Sequence, residues 1–249
     1  MRRRWTGVTL VGVGALAFGY VVSRQDWWAT ALRWLFPSLP EVVFPSASLG
    51  YLVMQHLQIV LASGAITVAV GVPVGIWVTH DAGRDFRELV SATADLAQTF
   101  PPIAVLALMI PLLGFGPTPA IVALSLYGLF PVVAGTMAGM DAVPHAVLDA
   151  ARGMGMGRWA ILFEVELPLA ARVIMGGVRT SMIINIGTAT MAAAAGAGGL
   201  GSPIISGINT QNGAFLLEGA AATAMLAVLA DAALGRVEAL VAPPDEQAA

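Results

Sequence analysis

The chain has 249 residues, of which 57% are hydrophobic and only 11% charged, with a mean hydropathy of +0.81. Soluble domains carry about 25% charged residues, so this composition excludes an ordinary soluble globule and places the chain in a bilayer. Cysteine is absent and all twelve basic residues are arginine, which excludes disulfides, thiolate chemistry, lysine Schiff bases and any phosphate loop built on lysine. ATP chemistry, if the protein uses it, must sit on another polypeptide. The formal net charge of −3 decides little, because in a membrane chain the placement of charges matters more than their sum.

A hydrocarbon core of about 30 Å needs roughly 20 apolar residues per helix, and six candidate spans meet that measure. The first runs from Trp5 to Val22 behind Arg2, Arg3 and Arg4. Its length and the lack of a small-x-small site at its end predict a retained helix rather than a cleaved signal. Asp26 to Phe36 follows, with Trp27, Trp28 and Trp34, closed by Pro37 and Pro40; it is either an amphipathic helix in the outer interface or a loop carrying interfacial aromatics. The second span runs about Leu57 to Thr79, the third about Leu89 to Leu113, the fourth about Pro119 to Met137, the fifth about Val173 to Ala195 and the sixth about Ala214 to Leu234. The fold class expected is therefore an all-α membrane protein of about six transmembrane helices. Residues 1–49 hold the first helix and the external segment, 50–240 the main membrane domain with a polar loop at about 138–170, and 241–249 a polar tail.

Arginine placement orients these spans. With both termini inside, Arg2, Arg3, Arg4, Arg84, Arg87, Arg152, Arg158, Arg172 and Arg236 fall on or near the cytoplasmic side, leaving Arg24 and Arg33 outside. The loop containing Asp149 is then cytoplasmic.

That loop is too polar to span. Asp149 to Met154 favours a short helix with Pro144 near its start, and Gly153, Gly155 and Gly157 end it and turn the chain. A short surface helix closed by a glycine turn is a knob that can fill a groove in a partner, with small alanines permitting close approach and Gly155 permitting a backbone angle that a side chain would obstruct. Leu167-Pro168 is expected to terminate a second helix before the fifth span. Asp149-Ala150-Ala151, three residues, Gly155, nine residues, Val165, one residue, Leu167-Pro168 resembles the coupling signature of permease subunits in bacterial ABC importers, with Asp for the family's Glu and Val for its Ile. The resemblance implies a type I importer permease fold in which Asp149, Ala150, Ala151, Gly155, Val165, Leu167 and Pro168 engage a separate ATPase. ATP and Mg²⁺ would act on that partner, with no cofactor on this chain, no catalytic residue and no nucleic-acid role. A second permease copy or paralogue and an extracytoplasmic solute-binding protein would complete the complex.

Further likeness lies in Gln98-Thr99-Phe100-Pro101, Ala107 to Gly114, Arg179 to Thr190 and Gly196 to Gly201. These look like permeases for glycine betaine, carnitine and choline, over roughly residues 50 to 240. The same architecture serving an amino acid or a sulfonate is the alternative within transport, and a membrane scaffold or enzyme is the alternative outside it. Gly196-Ala197-Gly198-Gly199-Leu200-Gly201 has the spacing of a dinucleotide fingerprint, but it follows an apolar helix rather than a strand, so it reads as a flexible outer turn, either plain or in contact with a binding protein.

Quaternary ammonium ions offer no N–H donor and are selected by aromatic faces; Tyr127 and Phe130 are candidates, although packing is the commoner role of such rings. Asn185, Thr188 and Thr190 lie within the fifth span and must face either a partner helix or a solute path. Asp95, Arg179 and Asp231 stand toward the cytoplasmic ends of three spans and form either an inner-gate ion-pair network or separate groups reaching interfacial water. His56, His80 and His145 lack second ligands at metal spacing and are expected at the surface, so no metal site is predicted. Gly71 to Gly75 and Gly135 to Gly139 carry small-xxx-small spacing for close helix packing.

Overall fold

A computed structural model describes residues 2–241, with side chains placed for 9–96 and 99–241. The side chains of Gln98 and of the Arg2 to Arg4 cluster, and the tail beyond residue 241, lie outside what is described. The chain runs through α1 (Arg2–Ser23), α2 (Gln25–Leu35), α3 (Leu49–Thr79), α4 (Arg87–Thr99), α5 (Pro102–Leu113), α6 (Pro117–Asp141), α7 (His145–Gly153), α8 (Arg158–Ile161), α9 (Leu167–Thr188), α10 (Gly201–Asn209) and α11 (Gly213–Val241). Short 3₁₀ turns cover Arg84–Phe86 and Ala189–Ala195, and a wider π turn covers Leu162–Glu166. No strand occurs among the described residues.

Among the described residues, α3, α6 and α11 are long and apolar enough to cross a membrane, and Thr9–Ser23 and Pro102–Leu113 are shorter apolar helices. The six expected spans are thus not six uniform rods. Leu89 to Leu113 is two helices, because Pro101 lacks an N–H and takes an extended conformation (φ −62°, ψ 133°) while Pro102 opens α5. At 13 and 12 residues each half reaches only about 20 Å, short of a hydrocarbon core. The fifth span begins earlier than expected. Leu167-Pro168 terminates nothing: α8, the π turn and α9 follow one another through helical junctions at Leu162 and Leu167. A proline ring normally collides with the carbonyl four residues back, here Glu164, and the wider π turn just before Pro168 relieves that collision.

The tryptophan segment is a helix. Leu32 packs inward with Val42 and Ala214, while Trp34 stays 82% exposed. Arg24 lies over the rings of Tyr20 and Trp27 and pairs with Asp26 at 2.8 Å, a hydrogen bond that holds the Asp26 carboxyl below its usual range.

Contacts group the chain into two compact units. One comprises residues 1–64, 100–125 and 182–233, the other 65–99, 126–181 and 234–249. The first has a core of Leu52, Ile59, Val60, Leu124, Ile186 and Leu226 filled in by small residues such as Ala189, Ala192 and Ala222. The glycine-rich run expected to be a flexible turn is fastened to this unit, since Gly199 N–H donates to Gln55 Oε1 at 3.2 Å and Gly116 N–H to Ala195 O at 2.7 Å. In the second unit both small-xxx-small pairs are helix crossings within the chain. A Cβ on Gly71 would stand 2.9 Å from Val132 Cγ1, and one on Gly75 2.6 Å from Thr136 Cβ.

Candidate functional site

The second unit builds the loop at 138–170 into a defined knob. Pro144, extended at φ −64° and ψ 127°, starts α7. The helix stops in a paired hydrogen-bond arrangement in which Gly155 N–H donates to Arg152 O at 2.9 Å and Met156 N–H donates to Ala151 O at 3.1 Å. Such a stop requires a left-handed residue after the helix, and Gly155 supplies it at φ +80°. Met156 then packs beside Ala151 in a core with Leu148, Ile161, Leu162 and Ala170. The spacing from Ala151 to Gly155 is therefore the spacing of a helix stop.

The motif divides by direction. Ala151 is 2% exposed, and Val165 and Leu167 pack against the same core, so these three hold the knob to its own body. Asp149, Ala150, Gly155 and Pro168 face outward. The expectation that both alanines admit close approach to a partner is corrected for Ala151, whose small side chain admits its own neighbours instead. Asp149 pairs with Arg152 at 3.1 Å on the exposed face, a contact worth well under about 1 kcal/mol. The same loop carries Met154, 75% exposed, and Trp159, 68% exposed and stacked on exposed Phe163 at 6.1 Å. Exposed apolar surface of this kind, on a loop that also carries a charged pair, suits a protein partner. Sequence reading passed over Met154, Trp159 and Phe163; two aromatics four residues apart in a polar loop were the available signal.

Two side-chain pairs stand around the knob. His80, just past α3, places Nε2 3.0 Å from Glu166 Oε2 and Nδ1 2.8 Å from Ile76 O. Arg87 at the start of α4 donates to both carboxylate oxygens of Asp141, which raises the pKa of the guanidinium further. Of the three histidines expected at the surface only His145 is exposed. His80 is largely covered, and His56 is 0% exposed, its Nε2 2.9 Å from Ile186 O beside the passage of α9 into the 3₁₀ turn.

Among the candidate pathway residues, Asn185 is fully buried in the first unit and donates from Nδ2 to Ser63 Oγ at 3.4 Å, while its Oδ1 has no hydrogen-bond donor. Ser125 Oγ reaches Ser63 O at 3.3 Å, so three polar residues from α3, α6 and α9 meet there. Thr188 and Thr190 are half-buried in the same unit, the latter bonded to Gly187 O. Tyr127 and Phe130 are half-buried and belong to the second unit. Of the suggested inner-gate residues, Arg179 pairs with Glu238 at 3.0 Å, a partner the sequence did not single out. Asp95 is exposed on α4 and in no ion pair among the described residues, and Asp231 is half-buried on α11 in the first unit.

Glu218 was missed. It sits 1% exposed inside the apolar run of α11 and accepts the Phe44 N–H at 2.8 Å across 174 residues of chain. Gln retains an acceptor for that N–H and leucine does not, so Glu218→Leu is expected to lower stability by about 1–3 kcal/mol and Glu218→Gln by much less. Thermal unfolding in detergent checks this; equal melting of the two variants would remove the bond from the account.

A chain that is helical throughout its described residues, with three helices long and apolar enough to cross a membrane, is by class a multi-span α-helical membrane protein. The chain belongs to the family described as the binding-protein-dependent transport system inner membrane component, whose profile matches residues 71–243. It is 42% identical over 184 residues to the osmoprotectant import permease protein OsmY of Salmonella typhimurium, covering 74% of this chain and 78% of that one. It is 39% identical to the carnitine transport permease protein OpuCB of Listeria monocytogenes, covering 76% and 86%, and 41% identical to the choline transport system permease protein OpuBD of Bacillus subtilis, covering 73% and 80%. A chain of the MetNI methionine ABC transporter, solved in an inward-facing conformation, superposes with a TM-score of 0.70 at 24% identity, covering 80% of this chain and all of that one, and this shows the fold.

Proposed function

We propose that this chain is the permease subunit of an ATP-driven importer for quaternary ammonium osmoprotectants such as glycine betaine, choline and carnitine. The observation that carries the solute class is the agreement among relatives 39–42% identical over three-quarters of the chain, each named for an osmoprotectant, carnitine or choline. Coupling is supported by α7, whose outward motif residues Asp149, Ala150 and Gly155 and neighbouring Met154, Trp159 and Phe163 offer an ATPase a rigid, partly apolar ridge. ATP and Mg²⁺ act on that partner chain. A second permease copy or paralogue closes the pathway, and a solute-binding protein delivers the cargo from outside. Asn185, with its unpaired oxygen, is the first candidate to meet the solute, with Thr188 and Thr190 as further candidates in the same unit. Tyr127 and Phe130 are the aromatic candidates, and Asp95, Arg179 and Asp231 the charged ones, each taken by itself.

Uptake of labelled glycine betaine tests the reading, in cells lacking their own betaine and choline systems and expressing this chain with its ATPase and binding protein. ATP-dependent uptake blocked by choline and carnitine, and not by methionine or taurine, is expected. An assembled complex that carries no betaine would leave the coupling role in place and move the cargo to another small solute.

A further inference from the structure

Glu166 occupies the unspecified position of the motif, between Val165 and Leu167, and is the last residue of the π turn joining the knob to α9. A π turn inside a helical run is often kept for function, and this one aims a carboxylate at the end of α3. His80 receives it. The ring is committed at both nitrogens: Ile76 O can only accept, so Nδ1 at 2.8 Å carries a hydrogen. Nε2 and Glu166 Oε2, 3.0 Å apart, then need one proton between them. It resides either on an imidazolium facing a carboxylate or on a carboxyl facing neutral imidazole. Without it two lone pairs oppose each other at hydrogen-bond distance, with side chains only 22% and 12% exposed and little water to separate them. Other charged groups nearby are Asp81, Arg84, Asp85, Glu164 and Arg172, all exposed or half-buried, and the mutually paired Arg87 and Asp141; among the described residues no further ion pair reaches His80 or Glu166.

The same end of α3 also packs on the knob through Val72 and Ile76, which meet the core of Leu148, Ala151, Ile161 and Leu162. Apolar packing alone permits sliding, and a directional bond 86 residues apart in sequence does not. We propose that His80 and Glu166 are the positioning pair that makes the knob and the end of α3 move as one body, and that the single proton they share keeps them joined. This rests on the reading of α7 as the docking element for the ATPase.

Glu166→Gln separates this role from a merely structural one. Its amide can donate N–H to Nε2 and its oxygen can accept from Nε2–H, so the link persists without the carboxylate. The test uses the complex with its ATPase. Because the chain has no native cysteine, spin labels at Val147→Cys on α7 and Val70→Cys on α3, both exposed, report one distance by electron double resonance. In the otherwise native chain that distance stays narrow during ATP turnover. Glu166→Ala and His80→Ala broaden it, and Glu166→Gln keeps it narrow. Solute carried per ATP hydrolysed is expected to fall about tenfold in the alanine variants while ATP hydrolysis continues. A distance in Glu166→Ala as narrow as in the native chain, or one in Glu166→Gln as broad as in Glu166→Ala, overturns the proposal. The label response requires no solute, so its appearance without betaine uptake supports the pair and counts only against the cargo assigned above.

Discussion

Gly155→Val is expected to abolish ATP-driven uptake while the chain still inserts and folds. A Cβ at Gly155 meets nothing within 4 Å, so crowding inside this chain is not the obstacle. The backbone is. At φ +80° an L-residue pays about 1–2 kcal/mol, and a β-branched one is a genuine outlier. The substituted backbone would therefore leave the left-handed region, and the two bonds that stop α7, Gly155 N–H to Arg152 O and Met156 N–H to Ala151 O, would go with it. The helix would run on, and Met154, Trp159 and Phe163 would lose their relative placement on the surface proposed to dock the ATPase. The remainder of the core formed by Met140, Ala170 and Ile174 lies on other elements and survives. Gly155→Asn is the informative companion, because asparagine enters the left-handed region readily; it should retain ATPase binding and much of the uptake. Co-purification with the ATPase, hydrolysis rate and uptake, measured together, check both variants. Normal uptake by Gly155→Val would remove this turn from coupling.

The second large effect belongs to the crossing of α6 and α9. A Cβ on Gly177 would lie 2.5 Å from Pro131 O, and one on Gly135 would lie 2.7 Å from Gly177 Cα. Backbone meets backbone there, and no flexible side chain can give way. Gly177→Ala must separate the two helices locally, at about 1–3 kcal/mol, and Gly177→Leu more. Reduced yield of monodisperse protein and a lower melting temperature in detergent are expected for alanine, with no folded protein for leucine. Gly176, one residue away, meets nothing within 4 Å, so Gly176→Ala is the control and should melt like the parent. Equal melting of the two alanine variants would refute the close crossing.

Much of the architecture was readable because it depends on local physics. Apolar runs identified α3, α6 and α11, and the glycine after Asp149-Ala150-Ala151 marked the end of α7. The double proline at Pro101 and Pro102 was equally visible, yet the hydrophobic window ran across it and merged α4 with α5, because hydropathy averages over a break that backbone geometry does not tolerate. Leu167-Pro168 misled in the opposite sense. Proline there suggested an end, whereas a π turn upstream gave its ring room and the helix continued.

The sequence by itself determined that the chain lives in a membrane, that its polar loop at 138–170 forms a glycine-stopped helix, and that it carries no lysine for ATP chemistry of its own. Composition and short-range backbone preference suffice for these. Tertiary structure alone decided that Ala151 faces inward and Ala150 outward, that His56 is buried, that Arg179 meets Glu238 and that His80 meets Glu166. A histidine or carboxylate has the same local preferences wherever it lies. Its role is set by which distant group the packing brings within about 3 Å of it, and that distance is a property of the whole fold.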